Sequence, residues 1–533
     1  MTLLHIPTGR RSFLLGAAIG VPALLTSGRA LAASDPFTQG VASGDPWPDG
    51  FVIWTRIAPD ITAPDGLGGA PDNLPVRWEV AEDDGFRRIV QAGEALSRHL
   101  MGGAVHVDLA GLRPDRPYWY RFNTLGVNSP VGRAWTTPLP DAQVQAVRFT
   151  AATCSHYEQG WFSAYRHMAA EEESRFTLFL GDYIYEGAGR PAGEGRVRSY
   201  GDLPVADSLA NYRRRYALHH ADPDLQALHA AAPALAIWDD HETMNDYSGI
   251  WSQEGERLPP AAFAWRRANA YRAFVENMPL RLSRTWLGTR TTIFRRMQWG
   301  NLAQFDLLDG RQYRSAPACT AGLDSARGHM TAPDCPDLED PARTFLGFEQ
   351  ERWLYDGWQR SKARWNLMVQ NLLVAPMVFD TPAGPVIWTD TWNGFGAARR
   401  RLLDTMVTSG ISNPVTLAGD YHSFWCNNLY RGFDAARFAA DGLNTKGEAP
   451  VAAEFVVSSV TSSGPPQDFY RRAMPNNPQI TFFDSEHRGY MSFGMTAERL
   501  DARCMAISDK ADRRATLSVL HQRSVEAGRP GLA

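Results

Sequence analysis

Four short apolar runs, each followed closely by side chains that can bind metal ions, constrain the fold of this chain more than any other feature. An apolar run bounded by glycine or polar residues is typical of a buried strand, and chemistry in open α/β sheets gathers beyond the carboxyl ends of such strands. Buried acids are rare unless they are paired or bound to a cation, so these ends together predict a metal site. The runs are 147–152, 176–180, 233–238 and 414–418, and the side chains after them are Cys154, Asp182, Tyr185, Asp240, His241, Asp420 and His422.

The 533 residues are too many for one ordinary domain, and 44% of them are hydrophobic, which leaves material for at least two cores. Residues 35–140 contain short β-rich runs separated by Gly, Pro and Asp clusters, with no helical period between them. This pattern predicts an N-terminal all-β sandwich of the fibronectin or immunoglobulin type. Because it offers few convergent acids, we expect it to pack or to shape a substrate site rather than to supply chemistry.

From residue 141 to residue 533 strand-like runs alternate with helical patterns, for example at 161–173, 261–278 and 349–362. Such alternation predicts an α/β domain, and all four candidate strand ends fall inside it.

The N-terminus has the pattern of a targeting segment. Arg10 and Arg11 precede a mild apolar stretch, and Ala30-Leu31-Ala32 is a small-x-small cleavage signal. The stretch is about a dozen residues long, whereas a spanning helix needs roughly 20. We expect residues 1–33 to be a twin-arginine signal peptide, with a short membrane anchor as the alternative. The twin-arginine export machinery would then be a partner, and the mature protein would be periplasmic or secreted, without a membrane span.

The five cysteines are an odd number for an exported protein. Cys319 and Cys335 bracket a loop rich in Gly, Pro and Asp, where we expect a disulfide. Cys426 and Cys504 could form a second pair, although only elimination recommends it. Cys154 is then left over, and its place at the end of the first strand favours a metal ligand over a buried inert thiol.

The predicted ligands are chemically mixed. Tyrosinate and thiolate suit a transition ion of high charge such as ferric iron, whereas carboxylates suit calcium or magnesium. Asp182 precedes Tyr185 by three residues, so both can face one centre from a turn while Asp182 bridges two ions. Neighbouring metal ions can bind a phosphoryl oxygen, lower the pKa of a bound water and stabilise both oxygens of an in-line displacement. A phosphate ester is therefore the natural substrate class.

Other classes of function find little support in the sequence. It has no Gly-x-Ser-x-Gly elbow, no P-loop and no dinucleotide fingerprint. The 54 basic and 58 acidic residues give a net charge of −4, whereas nucleic-acid binding would need a basic excess or stripe.

Six motifs occur in an order that resembles the PhoD family of alkaline phosphatases and phosphodiesterases, within the calcineurin-like metallophosphoesterase superfamily. The similarity runs from residues 37–45 to residues 488–490, which is nearly the whole mature chain. The motifs are Thr153-Cys154, Gly181-Asp182-Tyr183-Ile184-Tyr185-Glu186, Trp238-Asp239-Asp240-His241-Glu242, Arg266-Arg267-Ala268-Asn269-Ala270-Tyr271, Arg311-Gln312-Tyr313-Arg314 and Gly419-Asp420-Tyr421-His422.

The resemblance implies a calcineurin-like core, a β-sandwich flanked by helices, behind the N-terminal all-β domain. It also implies a site with Fe(III) and Ca(II), in which a metal-bound hydroxide or oxide attacks the phosphate ester without a covalent enzyme intermediate. The implied metal ligands are Cys154 and Tyr185 for the iron, Asp182 as a bridge, and Asp240, Asp420 and His422 to complete the cluster.

The resemblance also suggests residues that act on the substrate. His241 would contact the phosphoryl group or protonate the leaving oxygen, and Arg266 or Arg267 would hold a phosphate oxygen. Glu186 and Glu242 are candidates for orienting the ligands.

Two further residues stay open. His156 lies two residues after Cys154, where the broader superfamily often carries a ligand, but a single histidine is more often a satisfied structural residue. Asn245 lies near an Asn-containing segment of the family, in a different local order.

The leading hypothesis is an exported alkaline phosphatase that hydrolyses phosphate monoesters and also diesters. The alternative is a phosphodiesterase or phospholipase D-like enzyme that acts on lipid headgroups or phosphodiester polymers, and the choice depends on loops such as 187–201 and 315–341. A third hypothesis, an exported binding protein with a relict site, is opposed by the complete set of Asp182, Asp240 and Asp420.

Overall fold

The computed structural model describes residues 35–193, 195–252, 258–287, 290–320, 328–431 and 448–533. The expected signal peptide, residues 1–33, lies outside the described residues. No helix within the described ranges is both long enough and apolar enough to cross a membrane. The protein is a mixed α/β structure in which strands outnumber helices among the described elements.

The strands are mostly short, and they are numbered in chain order. They are β1 Val41–Trp47, β2 Gly50–Arg56, β3 Leu74–Ala81, β4 Ile89–Ser97, β5 Ala104–Asp108, β6 Pro117–Thr124, β7 Val127–Asn128, β8 Gly132–Trp135, β9 Ala146–Ala152, β10 Thr177–Leu180, β11 Ala234–Ile237, β12 Trp286–Leu287, β13 Arg290–Thr291, β14 Arg295–Trp299, β15 Ala303–Leu307, β16 Met330–Thr331, β17 Trp365–Val369, β18 Val378–Thr381, β19 Gly384–Trp388, β20 Pro414–Ala418, β21 Phe424–Leu429, β22 Ala452–Val456, β23 Ile480–Asp484, β24 Arg488–Thr496, β25 Arg499–Ile507 and β26 Leu517–Glu526.

The helices predicted at 161–173, 261–278 and 349–362 are present, the first shorter at both ends and the other two each beginning one residue earlier. The helices of the structure are numbered in chain order. They are α1 Ser163–Ala169, α2 Leu209–His220, α3 Pro223–Ala231, α4 Pro260–Asn277, α5 Leu282–Thr285, α6 Phe348–Arg360, α7 Gly396–Thr408 and α8 Gln467–Ala473. A side-chain cap fixes where α3 begins. The side chain of Asp222 accepts hydrogen bonds from the amides of Asp224 and Leu225 at 3.0 and 3.3 Å, and Pro223 occupies the first position of α3.

Two large sheets carry the fold. One has nine strands in the order β26-β25-β24-β9-β10-β11-β1-β2-β5, and the other has seven in the order β14-β15-β17-β20-β22-β21-β23. In the first sheet β9, β10, β11 and β1 run parallel, and in the second β15, β17, β20 and β22 do so. Parallel strands are buried on both faces, which explains the continuous apolar runs in the sequence.

The two sheets pack against each other through aromatic side chains. The ring of Phe305 on β15 lies 5.2 Å from that of Phe149 on β9, edge to face. Further along, the rings of Phe455 on β22 and Phe493 on β24 are 5.9 Å apart. The largest cluster of buried apolar side chains contains residues from both sheets and from α1 to α4. A second cluster joins the seven-stranded sheet to α6, α7 and α8.

The N-terminal region forms two layers, and one of them continues into the larger sheet. Strands β3, β4, β6, β7 and β8 form a separate sheet, whereas β1, β2 and β5 are the last three strands of the nine-stranded sheet. These three strands join the rest of that sheet at a single parallel pairing, Gly44 with Ala234. A Cβ at Gly44 would collide with the carbonyl oxygens of Pro279 and Ala234, so this close approach requires glycine. The all-β region at 35–140 is therefore fused to the α/β region by strand pairing.

The cysteines agree with one expectation and differ from another. Cys319 and Cys335 form the expected disulfide. The second pair, Cys426 with Cys504, is not formed, and both residues are free thiols. They lie on different sheets, on β21 and β25, and touch within the core. Their thiol–thiol hydrogen bond and burial raise the pKa of Cys504, so this group stays a neutral thiol.

Candidate metal centre

Four parallel strands end two residues before an acid or a thiol, and at three of these residues the backbone turns into the left-handed region. The φ angles are 56° at Cys154, 52° at Asp182 and 63° at Asp420, which follow β9, β10 and β20. The fourth strand, β11, ends two residues before Asp239. Left-handed backbone at a residue other than glycine costs on the order of 1 to 3 kcal/mol, and such strain clusters at functional sites.

The carboxyl edges of the two sheets meet at these turns. Thr153 after β9 pairs in parallel with Ser459 after β22, and the amide of Val460 donates to the carbonyl of Thr153 at 2.9 Å. Side chains from both sheets therefore converge on one place, as expected for the carboxyl ends of parallel strands.

The converging side chains form three overlapping groups, each with ligand atoms within 4.8 Å of one another. Asp182 belongs to two of the groups, and so does Asp240. The groups are Cys154 with Asp182 and His422, Asp182 with Asp240 and His241, and Asp239 with Asp240 and Asp420. The structure thus brings together every predicted ligand, with Tyr185 joined to the first group as described next.

Tyr185 is tied to the first group by three contacts of its hydroxyl. It donates to Oδ2 of Asp182 at 2.9 Å, accepts from the hydroxyl of Ser462 at 2.7 Å and lies 3.2 Å from Nε2 of His422. Nδ1 of His422 contacts the carbonyl of Ser463 at 2.8 Å, which leaves Nε2 facing the centre. A carbonyl behind a histidine is the usual arrangement for a metal ligand.

The acids are buried and repel one another. Burial, together with the nearby Asp239 and Asp240, raises the pKa of Asp420 well above its usual value. Burial also raises the pKa of Asp182, and it raises the pKa of Asp239 to about 6. Within the described part of the chain, Oδ1 of Asp182 and Oδ2 of Asp239 are buried and have no hydrogen-bond partner. Orphaned carboxylate oxygens and an excess of negative charge fit a site for cations.

His241 is oriented from behind by Glu186. Nδ1 of His241 lies 2.7 Å from Oε2 of Glu186, and Oε1 of Glu186 accepts from the amide of Asn245 at 2.8 Å. Although burial opposes it, the carboxylates of Glu186 and Asp182 raise the pKa of His241 well above its usual value. The imidazolium is therefore a stable form of this side chain within the centre.

Glu242 contacts the backbone of the turns rather than the side chains of the proposed ligands. Its carboxylate accepts hydrogen bonds from the amides of Asp182 at 3.1 Å, Tyr183 at 2.5 Å and Asp239 at 2.7 Å. One buried carboxylate thus fixes the ends of β10 and β11 relative to each other.

Sequence reasoning missed three residues that belong to the centre. Asp239 lies in the third acidic group, and the buried guanidinium of Arg311 pairs with Asp239, with Asp240 at 3.5 Å and with Asp390 at 2.9 Å. Asn371, two residues after β17, donates to Asp239 through Nδ2, and its Oδ1 is another buried atom without a partner among the described residues. The sequence signal for Asn371 is its place directly after an apolar strand, the same signal that marks the predicted ligands.

The remaining candidates are His156, Arg266 and Arg267. The ring of His156 packs 4.5 Å from that of Tyr185, its Nδ1 accepts from the amide of Glu158 at 3.3 Å, and it is outside the candidate ion groups found among the described residues. Arg266 donates to the hydroxyl of Tyr212 at 3.1 Å. Arg267 donates to the carbonyl of Gly249. A role for either arginine in holding phosphate stays a prediction.

Comparisons with known proteins show the family of the chain. The family model described as PhoD-like phosphatase matches residues 149–504, and the one described as PhoD-like phosphatase, N-terminal domain, matches residues 23–138. Alkaline phosphatase D of Bacillus subtilis (strain 168) is 38% identical over 513 residues, covering 92% of this chain and 83% of that protein. A solved structure titled "Structure of PhoD" is 36% identical, with a TM-score of 0.85, covering 94% of this chain and 92% of that one. The chain therefore belongs to the PhoD-like phosphatase family and is a phosphoric ester hydrolase.

Proposed function

We propose that this chain is an exported, metal-dependent alkaline phosphatase that hydrolyses phosphate monoesters and also diesters. The observation that carries the proposal is the set of three overlapping ligand groups at the meeting edges of the two sheets. We propose further that the strands of these sheets within residues 141–533 form a calcineurin-like core, and that residues 35–140, whose strands β1, β2 and β5 extend the nine-stranded sheet, are an N-terminal sandwich domain. Export rests on the arginine pair, Arg10 and Arg11, in the sequence.

Fe(III) fits the end of the centre that holds Cys154, Tyr185 and His422. Thiolate, phenolate and imidazole are donors that a transition ion of high charge prefers over calcium. Burial raises the pKa of both Cys154 and Tyr185, so both would stay protonated without a cation beside them. Asp182 is a member of two groups, so it would complete this end and bridge to the next.

Ca(II) fits the end that holds Asp239, Asp240 and Asp420. Calcium takes oxygen ligands, and Nδ2 of Asn371 donates a hydrogen bond to Asp239 that holds this carboxylate in place. The Arg311 guanidinium offsets part of the acidic charge and holds Asp239 and Asp240 in place. When bound, such ions supply Lewis acidity toward a phosphoryl oxygen and activate water.

His241 and one of two arginines act on the substrate in this proposal. His241, with Nδ1 bound to Glu186, is placed to donate a proton through Nε2 to the leaving oxygen. Glu186, which lies outside the proposed ligand groups, favours the protonated form of His241. We propose that Arg266 or Arg267 holds a phosphate oxygen at the edge of the site.

The test is hydrolysis of 4-nitrophenyl phosphate and bis(4-nitrophenyl) phosphate by the purified mature protein, before and after calcium chelation, with elemental analysis of the same sample. We expect iron in the protein, activity that chelation abolishes and calcium restores, and a higher rate on the monoester. A higher rate on the diester would favour the phosphodiesterase alternative. A metal-loaded protein that hydrolyses neither ester would overturn the proposal.

A further inference from the structure

Beside the metal centre the chain makes a tight turn at residues 248–251, which we call the rim turn and which presents two apolar side chains to solvent. The amide of Ser248 donates to the carbonyl of Trp251 at 3.1 Å, and the amide of Trp251 donates back to Ser248 at 2.8 Å. Ile250 is 56% exposed and Trp251 is 47% exposed. Single exposed apolar residues are ordinary on protein surfaces, but an adjacent pair held in a closed turn at an active site is more informative.

The rim turn is attached to the arginines that brace the metal centre. The amide of Gly249 donates to the carbonyl of Arg311 at 2.9 Å, and Nε of Arg314 donates to the hydroxyl of Ser248 at 2.9 Å. The guanidinium of Arg267 holds the carbonyl of Gly249 from the other side. Because Arg311 itself pairs with Asp239, the turn is positioned by the same framework as the ligands.

The rim turn also lies within reach of a bound ester. The amide of Asp246 donates to Oδ2 of Asp240 at 2.6 Å, so Asp246 is in contact with the centre. Ile250 follows four residues later, and four residues span at most about 14 Å between Cα atoms. The rim turn is therefore close to the place where the phosphate of an ester would bind.

We propose that Ile250 and Trp251 bind the organic group of the phosphate ester, so that this enzyme prefers esters of aryl and alkyl alcohols to esters of polyols. The inference rests on the proposed phosphatase function and names its substrate class. Contact with Ile250 and Trp251 stabilises the bound ester only when its organic group is itself apolar, because the hydroxyl groups of a polyol stay hydrated. Since the phosphate is bound elsewhere, the turn selects the alcohol and leaves the chemistry unchanged.

The experiment compares 1-naphthyl phosphate with glycerol 2-phosphate on the metal-loaded enzyme and on an Ile250→Ser/Trp251→Ser double variant. We expect kcat/KM for the naphthyl ester to fall about tenfold, through KM, while the value for the glycerol ester stays within about twofold. Trp265→Ser is the matched control, because Trp265 is 72% exposed on α4 and forms no part of the rim turn. It should leave both substrates unchanged.

Three outcomes overturn the inference: equal loss on both esters, no loss on either, or the same selective loss in the Trp265→Ser control. If the double variant fails to fold, Trp251→Ser and Trp251→Phe are tested singly, with the phenylalanine expected to restore most of the preference. A wild-type enzyme that hydrolyses glycerol 2-phosphate but does not prefer the naphthyl ester refutes only the proposed role of the rim turn. A wild-type enzyme that hydrolyses neither ester refutes the proposed function itself.

Discussion

The carboxylate of Glu186 lies 2.7 Å from Nδ1 of His241 and fixes which edge of the imidazole faces the acids of the metal centre. The other oxygen of Glu186 is held by the amide of Asn245 at 2.8 Å, so the carboxylate cannot rotate freely. Orientation and proton retention at His241 therefore depend on a residue outside the ligand groups.

Glu186→Gln should lower kcat about 10- to 100-fold, because the amide neither raises the pKa of His241 nor holds the same tautomer. Metal content should stay unchanged, which elemental analysis of the variant checks. Glu173→Gln is the control, since Glu173 pairs with Arg148 on the surface. A Glu186→Gln enzyme with the wild-type rate would remove His241 from the proposed mechanism.

Cys154→Ala and Tyr185→Phe should each lower iron content and turnover together, while bound calcium is largely retained. Both residues lie at the same end of the centre, and neither belongs to the third acidic group. Iron and calcium are measured by elemental analysis on the samples used for kinetics. Cys426→Ala removes another buried thiol, on β21, and should leave iron unchanged. Normal iron and rate in both site variants would refute this assignment.

Asn371→Ala should weaken the response to calcium about 10- to 100-fold, because the hydrogen bond that Nδ2 of Asn371 donates to Asp239 is lost and this carboxylate is no longer held in place. The measurement is a calcium titration of activity after chelation, in which the midpoint should move and the saturated rate should recover. Asn476→Ala, at an exposed contact with Asp380, is the control. An unchanged midpoint would exclude Asn371 from the calcium end.

His229→Gln should make the stability of the protein less sensitive to acid. Burial lowers the pKa of His229 to about 3, whereas the unfolded value is about 6.5. Below pH 6.5 the unfolded chain binds a proton that the folded chain does not, so stability falls as pH drops from 6.5 toward 3. At pH 5 the loss is about 2 kcal/mol, and glutamine does not titrate.

Urea unfolding at pH 5 and pH 8 measures this difference, and the wild type should lose more stability between the two values than His229→Gln does. Gln522→Asn, which exchanges one side chain that does not titrate for another at an exposed position of β26, should behave like the wild type. An equal pH dependence in all three proteins would show that His229 does not contribute.

The strands and their polar ends could be predicted because the physics is local. A run such as 176–180 is apolar throughout only if both faces are buried, and the acid after it needs a partner or an ion. This reasoning selects six candidate ligands and His241, and the structure brings their side chains together. The same reasoning does not select Asp239, because Asp240 follows directly and side chains adjacent in sequence usually point in different directions. The turn after β11 brings both side chains into one group with Asp420.

Other features depend on contacts between distant parts of the chain. The pairing of Gly44 with Ala234 makes the N-terminal strands part of the larger sheet, and nothing in the local pattern of 35–140 indicates it. Elimination among the five cysteines suggested a disulfide between Cys426 and Cys504, but elimination carries no information about geometry. In the structure both thiols are free and lie between the facing sheets. The contact of Arg311 with Asp239 likewise joins residues 72 positions apart.

The proposed ligands come from both sheets: Cys154, Asp182 and Asp240 follow strands of the nine-stranded sheet, whereas Asp420 and His422 follow a strand of the seven-stranded one. Any ion held between Asp240 and Asp420 would therefore link the two large sheets, in addition to taking part in the reaction. Removing it leaves mutually repelling acids at the seam and withdraws the stabilisation that binding gives the folded state. The enzyme should lose thermal stability and activity at the same calcium concentrations, because one set of contacts supports both.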